Sequence, residues 1–377
     1  MGVNSGRRDF YPLLGAARGI AALMVALFHV GLTPYSDASG HLRRLVVRPG
    51  TPDGSWIDLA FRIMGNGPGA VILFFVLSGF VLTLVLESSK LPEGPTAQRF
   101  FISRIFRIYP AVITTLAIIA ALYSVTGYTL ISPNGNTAFN YLLNASLIQP
   151  AILGVTWSLQ LELIAAPLLF GVWWWRRREG LRALLVPYLI LLGLSFTSIW
   201  NHLIGQPFSL GQLYAFLAGM AAFLYGKQFV KGMRYPGLWL MLAIAAFAAT
   251  RPLVGWSSYW TILLESLFGS AIVALLAFSG FRFTRGLFGR TVEFYGRISF
   301  SFYLLHPLTL IPLANTSALT TLLQIGVHPL ILAALIFVIS TIATTPFAWA
   351  QWYFVEQTGI WLGRRLPIAR PASVQTA

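Results

Sequence analysis

The 377-residue sequence contains no cysteine. A thiol nucleophile, a thiolate-bound zinc and a disulfide framework are therefore excluded, while the redox compartment stays open. Charge is almost as scarce. Only 10% of the residues are charged, where soluble domains carry about a quarter. That poverty excludes a disordered chain and a coiled coil, both of which depend on charged surfaces. Apolar side chains fill the space instead. Hydrophobic residues make up 56% of the sequence and mean hydropathy is +0.72 over the whole length. An excess this even points to the lipid bilayer as the solvent.

A helix needs about 20 apolar residues to span a bilayer. Ten segments fit, at roughly 12–33, 68–87, 109–127, 156–175, 183–200, 208–226, 236–250, 257–278, 294–313 and 328–350. The expected fold is an all-α integral membrane protein, a bundle of about ten transmembrane helices with cytoplasmic N- and C-termini. Segment 236–250 is the weakest, with 15 residues, and 139–148 is too short and polar to span, suiting a re-entrant stretch at most. Basic residues give the orientation. With the N-terminus inside, 20 of the 26 Lys and Arg fall in inner segments and five (Arg43, Arg44, Arg48, Arg62 and Arg251) in outer ones. This is a positive-inside pattern. It accounts for most of the net charge of +15 without a nucleic-acid partner. Arg18 interrupts the first apolar stretch and no small-residue cleavage site follows, so that stretch reads as a retained helix, not a signal peptide. The longest outer loop is 34–67. No repeat, low-complexity run or appended soluble domain is visible. The chain reads as one membrane domain, residues 1–377 with a core at about 12–350 and a short basic tail at 363–377. Aromatic side chains, 14% of the total, are expected mostly at the lipid face and the interfaces.

Ionisable groups inside spans are costly and mark function by default. Arg18, His29, Glu162, Glu265 and His306 qualify. Arg18 and His29 lie 11 residues apart on one helix, which places them within about 20° of one another and about 16 Å apart along the axis. A cation near the inner face can hold an anion, and a neutral imidazole further out can take a proton from a hydroxyl. Arg18 reaching to headgroups and His29 capping a carbonyl is the competing reading. Glu162, in Trp157-Ser158-Leu159-Gln160-Leu161-Glu162, shares a helical face with Ser158. At the outer end of its span it would lie at the depth of His29 and orient the imidazole, or else complement a helix dipole. Arg104 and Arg107 share a face as well, suiting phosphate groups or simple anchoring at the inner surface. His306, Tyr303 and Ser299 form a polar stripe on one helix and should face the bundle interior, for chemistry or for hydrogen bonding. Ser78-Gly79 is a small step suited to close helix packing. His41, His202 and His328 fall in outer loops or at span ends.

Taken together, Arg18-Gly19-Ile20-Ala21-Ala22 with Phe28-His29, Phe74-Phe75-Val76-Leu77-Ser78-Gly79-Phe80, Arg104-x-x-Arg107 before Tyr109-Pro110, Trp157-Ser158-Leu159-x-x-Glu162 and Tyr303-Leu304-Leu305-His306 resemble the acyltransferase-3 family of membrane acyltransferases. The likeness runs from about residue 12 to 310. It implies a multi-pass protein of the bacterial inner membrane that moves an acyl group, mostly acetyl, from cytoplasmic acyl-coenzyme A to a hydroxyl. Exopolysaccharide and lipopolysaccharide sugars or lipid-linked glycans are the commonest acceptors, and antibiotics and signalling oligosaccharides are acylated by relatives. It implies His29 as the essential histidine, Glu162 as functionally important, and Arg104 and Arg107 as contacts for coenzyme A, to which the spacing adds Arg18. Ser78, Trp157, Ser158, Tyr303 and His306 are the expected pocket residues. Acetyl-coenzyme A would be the donor substrate, with no metal. The chain departs from the family in two places. Leu14, Gly15, Ala16 and Ala17 stand where an acidic residue often precedes the first arginine, and Leu163 follows Glu162 where a second Glu is common. A double-carboxylate mechanism is thereby disfavoured.

The expected reaction has the arginines hold the donor's phosphates, the pantetheine arm run along the Arg18–His29 face, and His29, oriented by Glu162, act as general base or as a transient acyl carrier. A proton-coupled carrier or flippase is the main alternative, and no inverted repeat or pair of broken helices favours it. A glycan polymerase using a lipid-linked sugar is a third reading.

Overall fold

Proline opens several helices, at first-turn positions where its missing N–H costs nothing. Pro12 starts α1 (Pro12–Gly31), Pro236 starts α9 and Pro329 starts α13. In chain order the others are α2 (Trp56–Met64), α3 (Gly67–Glu87), α4 (Glu93–Thr126), α5 (Ala138–Ala145), α6 (Trp157–Glu179), α7 (Arg182–Ser195), α8 (Tyr214–Val230), then α9 (Pro236–Val254), α10 (Tyr259–Phe278), α11 (Leu287–Ala314), α12 (Ser317–Gln324) and α13 (Pro329–Gln351). A π-helical turn, Trp352–Glu356, joins α13 to α14 (Gln357–Arg365). The structure, a computed structural model, describes residues 11–36, 42–46, 55–127, 129–130, 135–197, 210–256, 258–282, 286–314 and 317–367. His41 and His202 lie outside them.

Each expected span is a helix, and among the described residues eight stretches are long and apolar enough to cross a membrane. Of the other two, α7 has 14 residues. α11 has 28 residues and falls short in apolarity because of Ser299, Ser301, Tyr303 and His306, all of which it buries. Large apolar side chains such as Leu189, Met241, Ile342 and Phe354 are exposed on the outer surface, as lipid contact requires. The chain is an all-α integral membrane protein.

Several boundaries differ from expectation. α9 has 19 residues and continues to Val254, so it contains Arg251, expected in an outer loop. α4 begins at Glu93, so Arg99, Arg104 and Arg107 are helical. Residues 34–67, expected as a loop, hold α2, capped by Ser55 through a reciprocal bond with Asp58, and a short antiparallel hairpin of Pro34–Ser36 with Leu42–Arg44. The final span continues to Arg365, so the start of the expected tail is helical. Aromatics are also less peripheral than expected, since Phe75, Phe80, Phe100, Phe216, Phe302 and Tyr214 are all buried.

Two close crossings set the frame of the bundle. At the first, a Cβ added to Gly79 of α3 would collide with the Phe216 carbonyl, and one on Gly219 of α8 with the Val76 carbonyl. At the second, Gly19 of α1 meets the backbone of Gly296 in α11. His29 and His306 lie ten residues beyond those two glycines and touch each other. The equal spacing shows that α1 and α11 run parallel, as a first and a ninth span should. The segment before α6 is held by Asn144, whose Oδ1 accepts from Ile152 N at 2.9 Å and Leu153 N at 2.7 Å while Nδ2 donates to Thr156 at 2.9 Å. These bonds fix where α6 starts.

Candidate active site

Two cavities lie along α1 and share one wall residue. The first has about 70 Å³ of free volume and is lined by Arg18, Arg104, Arg107 and Glu162, with Phe74, Ser78, Ser158 and Tyr303 around them. The second has about 270 Å³ and is lined by His29, Trp157, Gln212, Arg251, Trp256 and, again, Tyr303. Arg18 lines the first cavity and His29 the second, so both side chains turn to the interior at different levels of α1. Tyr303 is buried. Its hydroxyl donates to the Val155 carbonyl at 2.9 Å and lies 2.9 Å from Ser158 Oγ.

At the imidazole level, His29 Nδ1 lies 3.0 Å from the Val25 carbonyl and 3.1 Å from His306 Nε2. His306 Nδ1 lies 2.7 Å from the Tyr303 carbonyl. His306 is 1% exposed, so it stands behind His29, not in the cavity wall. Phe302 stacks against its ring at 6.3 Å between centroids.

At the guanidinium level, Glu162 Oε1 lies 3.7 Å from Arg104 Nη1. This corrects the expectation that Glu162 orients His29. α6 begins at Trp157, whose side chain lines the His29 cavity. Glu162, more than a turn further along, therefore reaches the arginines. Arg104 is also buried, not an anchor at the surface. Its Nε has no hydrogen-bond partner among the described residues. Glu356, buried at the π-helical turn, accepts from Ser301 at 3.4 Å and feels Arg107 and Arg18.

Three wall residues, Arg251, Trp256 and Gln212, and Glu356 within electrostatic reach of the arginines escaped the sequence reading. Glu356 lies beyond the expected last span. Arg251 donates to Glu265 twice, at 2.9 Å and 2.7 Å, and Asn66 Nδ2 adds a third bond to that carboxylate at 2.9 Å. The signal available was an oppositely charged pair flanking a short turn. Trp256, stacked by Arg62 at 4.3 Å, and Gln212 complete the set. Gln212 Oε1 is buried with no hydrogen-bond partner among the described residues. His328 caps α13, accepting from Leu330 N at 3.2 Å. Among the described residues no group of three or more His, Asp or Glu is placed to hold a metal ion.

Three arginines thus line one cavity and an imidazole the other, with Tyr303 common to both. The acyltransferase-3 model, described as an acyltransferase domain, matches residues 13–353. Nodulation protein 10 of Rhizobium leguminosarum bv. viciae is 27% identical over 151 residues, covering 34% of this chain and 39% of that protein. The match thus spans well under half of that relative's length. No solved structure matches. The chain belongs to the acyltransferase-3 family.

Proposed function

We propose that this single-domain protein transfers an acyl group, acetyl by default, from acyl-coenzyme A to a hydroxyl of a carbohydrate acceptor. Exopolysaccharide or lipopolysaccharide sugars, or a lipid-linked glycan, are the favoured acceptors. The protein would sit in a bacterial inner membrane with both termini and the arginine-lined mouth on the cytoplasmic side.

One observation carries the reading. Arg18, Arg104 and Arg107 line one cavity along α1, His29 with Trp157 and Trp256 lines the next, and Tyr303 lines both. Three guanidiniums in one cavity suit an anion such as phosphate. An imidazole beside two tryptophans suits a hydroxyl-bearing ring. The arginines would hold the donor's phosphates, with the pantetheine arm directed along α1 toward His29.

In the proposed step His29 takes the proton of the acceptor hydroxyl while its oxygen attacks the thioester carbonyl. The tetrahedral centre collapses, the C–S bond breaks, and the departing thiolate recovers the proton from His29. A covalent acyl-His29 intermediate would replace this with two transfers and ping-pong kinetics.

Purified protein in lipid nanodiscs, given radiolabelled acetyl-coenzyme A and membrane glycans, should convert thioester to acetyl ester. His29→Ala should insert normally and transfer nothing. Consumption of no acetyl-coenzyme A by the wild type, or wild-type rates from His29→Ala, would defeat the proposal, the first outcome pointing to a carrier. Mass spectrometry of surface glycans with and without the gene would identify the acceptor.

A further inference from the structure

Pro307 opens a gap in the hydrogen bonding of α11. It has no N–H to give to the carbonyl four residues back, that of Tyr303. The His306 ring fills the gap with Nδ1 at 2.7 Å. A carbonyl can only accept, so this nitrogen carries the proton, and in a neutral ring Nε2 is then a bare acceptor. That acceptor meets His29 Nδ1 at 3.1 Å. His29 Nδ1 also lies 3.0 Å from the Val25 carbonyl, which again only accepts. Both contacts demand the same thing, a proton on His29 Nδ1 shared between two acceptors. A neutral imidazole protonated there is bare at Nε2. No hydrogen bond among the described residues engages that nitrogen, and the ring lines the larger cavity.

We propose that His306 is the positioning residue of the transfer, accepting the Nδ1 proton of His29 and so holding His29 in the tautomer whose bare Nε2 takes the proton of the acceptor hydroxyl. This rests on the reading of His29 as the base. In serine hydrolases a carboxylate sets the tautomer. Here the carboxylate that could have done so, Glu162, belongs to Arg104. A neutral imidazole does the same work without placing a second charge within the span, where charge is costly. When His29 becomes imidazolium, its Nδ1–H still points at lone pairs on both sides, so the arrangement accommodates the charged form without rearranging. The close crossing of Gly19 with Gly296 brings the two rings into reach.

The chain has five histidines, so labelling with ¹⁵N-histidine gives a tractable set of ring signals, and His29→Gln assigns one of them. The wild type should show His29 protonated at Nδ1 and bare at Nε2, a measurement that needs no substrate. His306→Gln, which can present a carbonyl near the former Nε2, should keep that tautomer and most of kcat. His306→Leu should give a tautomer mixture and lower kcat by about tenfold to a hundredfold, the usual cost of losing a supporting hydrogen bond, with donor KM within about twofold. A wild-type His29 protonated at Nε2 overturns the proposal, as does a His306→Leu variant with unchanged kcat. A wild type that shows the assigned tautomer and transfers no acyl group upholds the pairing while sinking the acyl-transfer reading.

Discussion

Arg251 and Glu265 bind each other at both ends, Nε to Oε1 at 2.9 Å and Nη2 to Oε2 at 2.7 Å, with the carboxylate fully buried. The pair closes the turn between α9 and α10 at the wall of the His29 cavity. Its two charges cancel locally, and this is how α9 can carry an arginine in its last turn without ending before it. Asn66 ties the pair to α3.

Removing one member of a buried pair leaves an uncompensated charge and typically costs about 3–5 kcal/mol. Arg251→Met should therefore lower the midpoint of thermal unfolding in detergent sharply. The double variant Arg251→Met with Glu265→Met should recover most of the loss, because two apolar side chains replace two charges. A double variant less stable than the single one would contradict this account.

Arg104 and Glu162 act at the donor level. Arg104→Ala removes charge-assisted hydrogen bonds worth about 1.5–3 kcal/mol and should raise the KM for acyl-coenzyme A by about tenfold to a hundredfold. Glu162→Gln should change donor KM while leaving kcat within a few-fold, because Glu162 does not touch His29. A collapse of kcat at unchanged donor KM in Glu162→Gln would place the carboxylate back in the proton-transfer step. Steady-state kinetics with varied donor at saturating acceptor separates the outcomes.

The crossing of α3 and α8 predicts an asymmetry between two glycines. Gly79→Ala places a methyl group against the Phe216 carbonyl, which belongs to backbone and cannot turn aside. Overpacking of this sort costs about 1–3 kcal/mol or more. Gly171→Ala, mid-helix in α6 with open space around it, should be neutral or up to about 1 kcal/mol stabilising from helix propensity. Thermal unfolding of the two variants side by side provides the check.

Much of this was legible in the sequence, for definable reasons. Helical periodicity alone places Arg18 and His29 on one face, and each lines one of the two cavities along α1. The Ser299–Tyr303–His306 stripe faces inward because a span cannot leave it in lipid. Depth was harder to read. Glu162 misses His29 because Trp157 already stands at the level of the His29 cavity and Glu162 lies more than a turn further along α6, and no hydropathy pattern reports that depth. Arg251 was counted among loop charges because its neutralising partner sits on the next helix. The His29–His306 contact depends on a crossing of α1 and α11 that links residues far apart in the chain.

Tyr303 is the common wall of the two cavities, and its role can be tested through water. Its hydroxyl is held by the Val155 carbonyl and Ser158 at 2.9 Å each, so the ring is fixed between the donor and acceptor levels. Tyr303→Phe keeps the ring and loses a buried hydrogen bond, which costs about 0.5–1.5 kcal/mol. Transfer should survive with a modest fall in rate. Tyr303→Ala removes the wall itself and joins the cavities into one wetter space. Water would then compete with the acceptor hydroxyl for the thioester, since a closed site is what keeps hydrolysis out. The expected signature is acyl-coenzyme A hydrolysis without acceptor, rising relative to transfer in Tyr303→Ala and not in Tyr303→Phe. If both variants lose transfer equally and neither hydrolyses donor, the ring serves packing alone and the partition lies elsewhere along the channel.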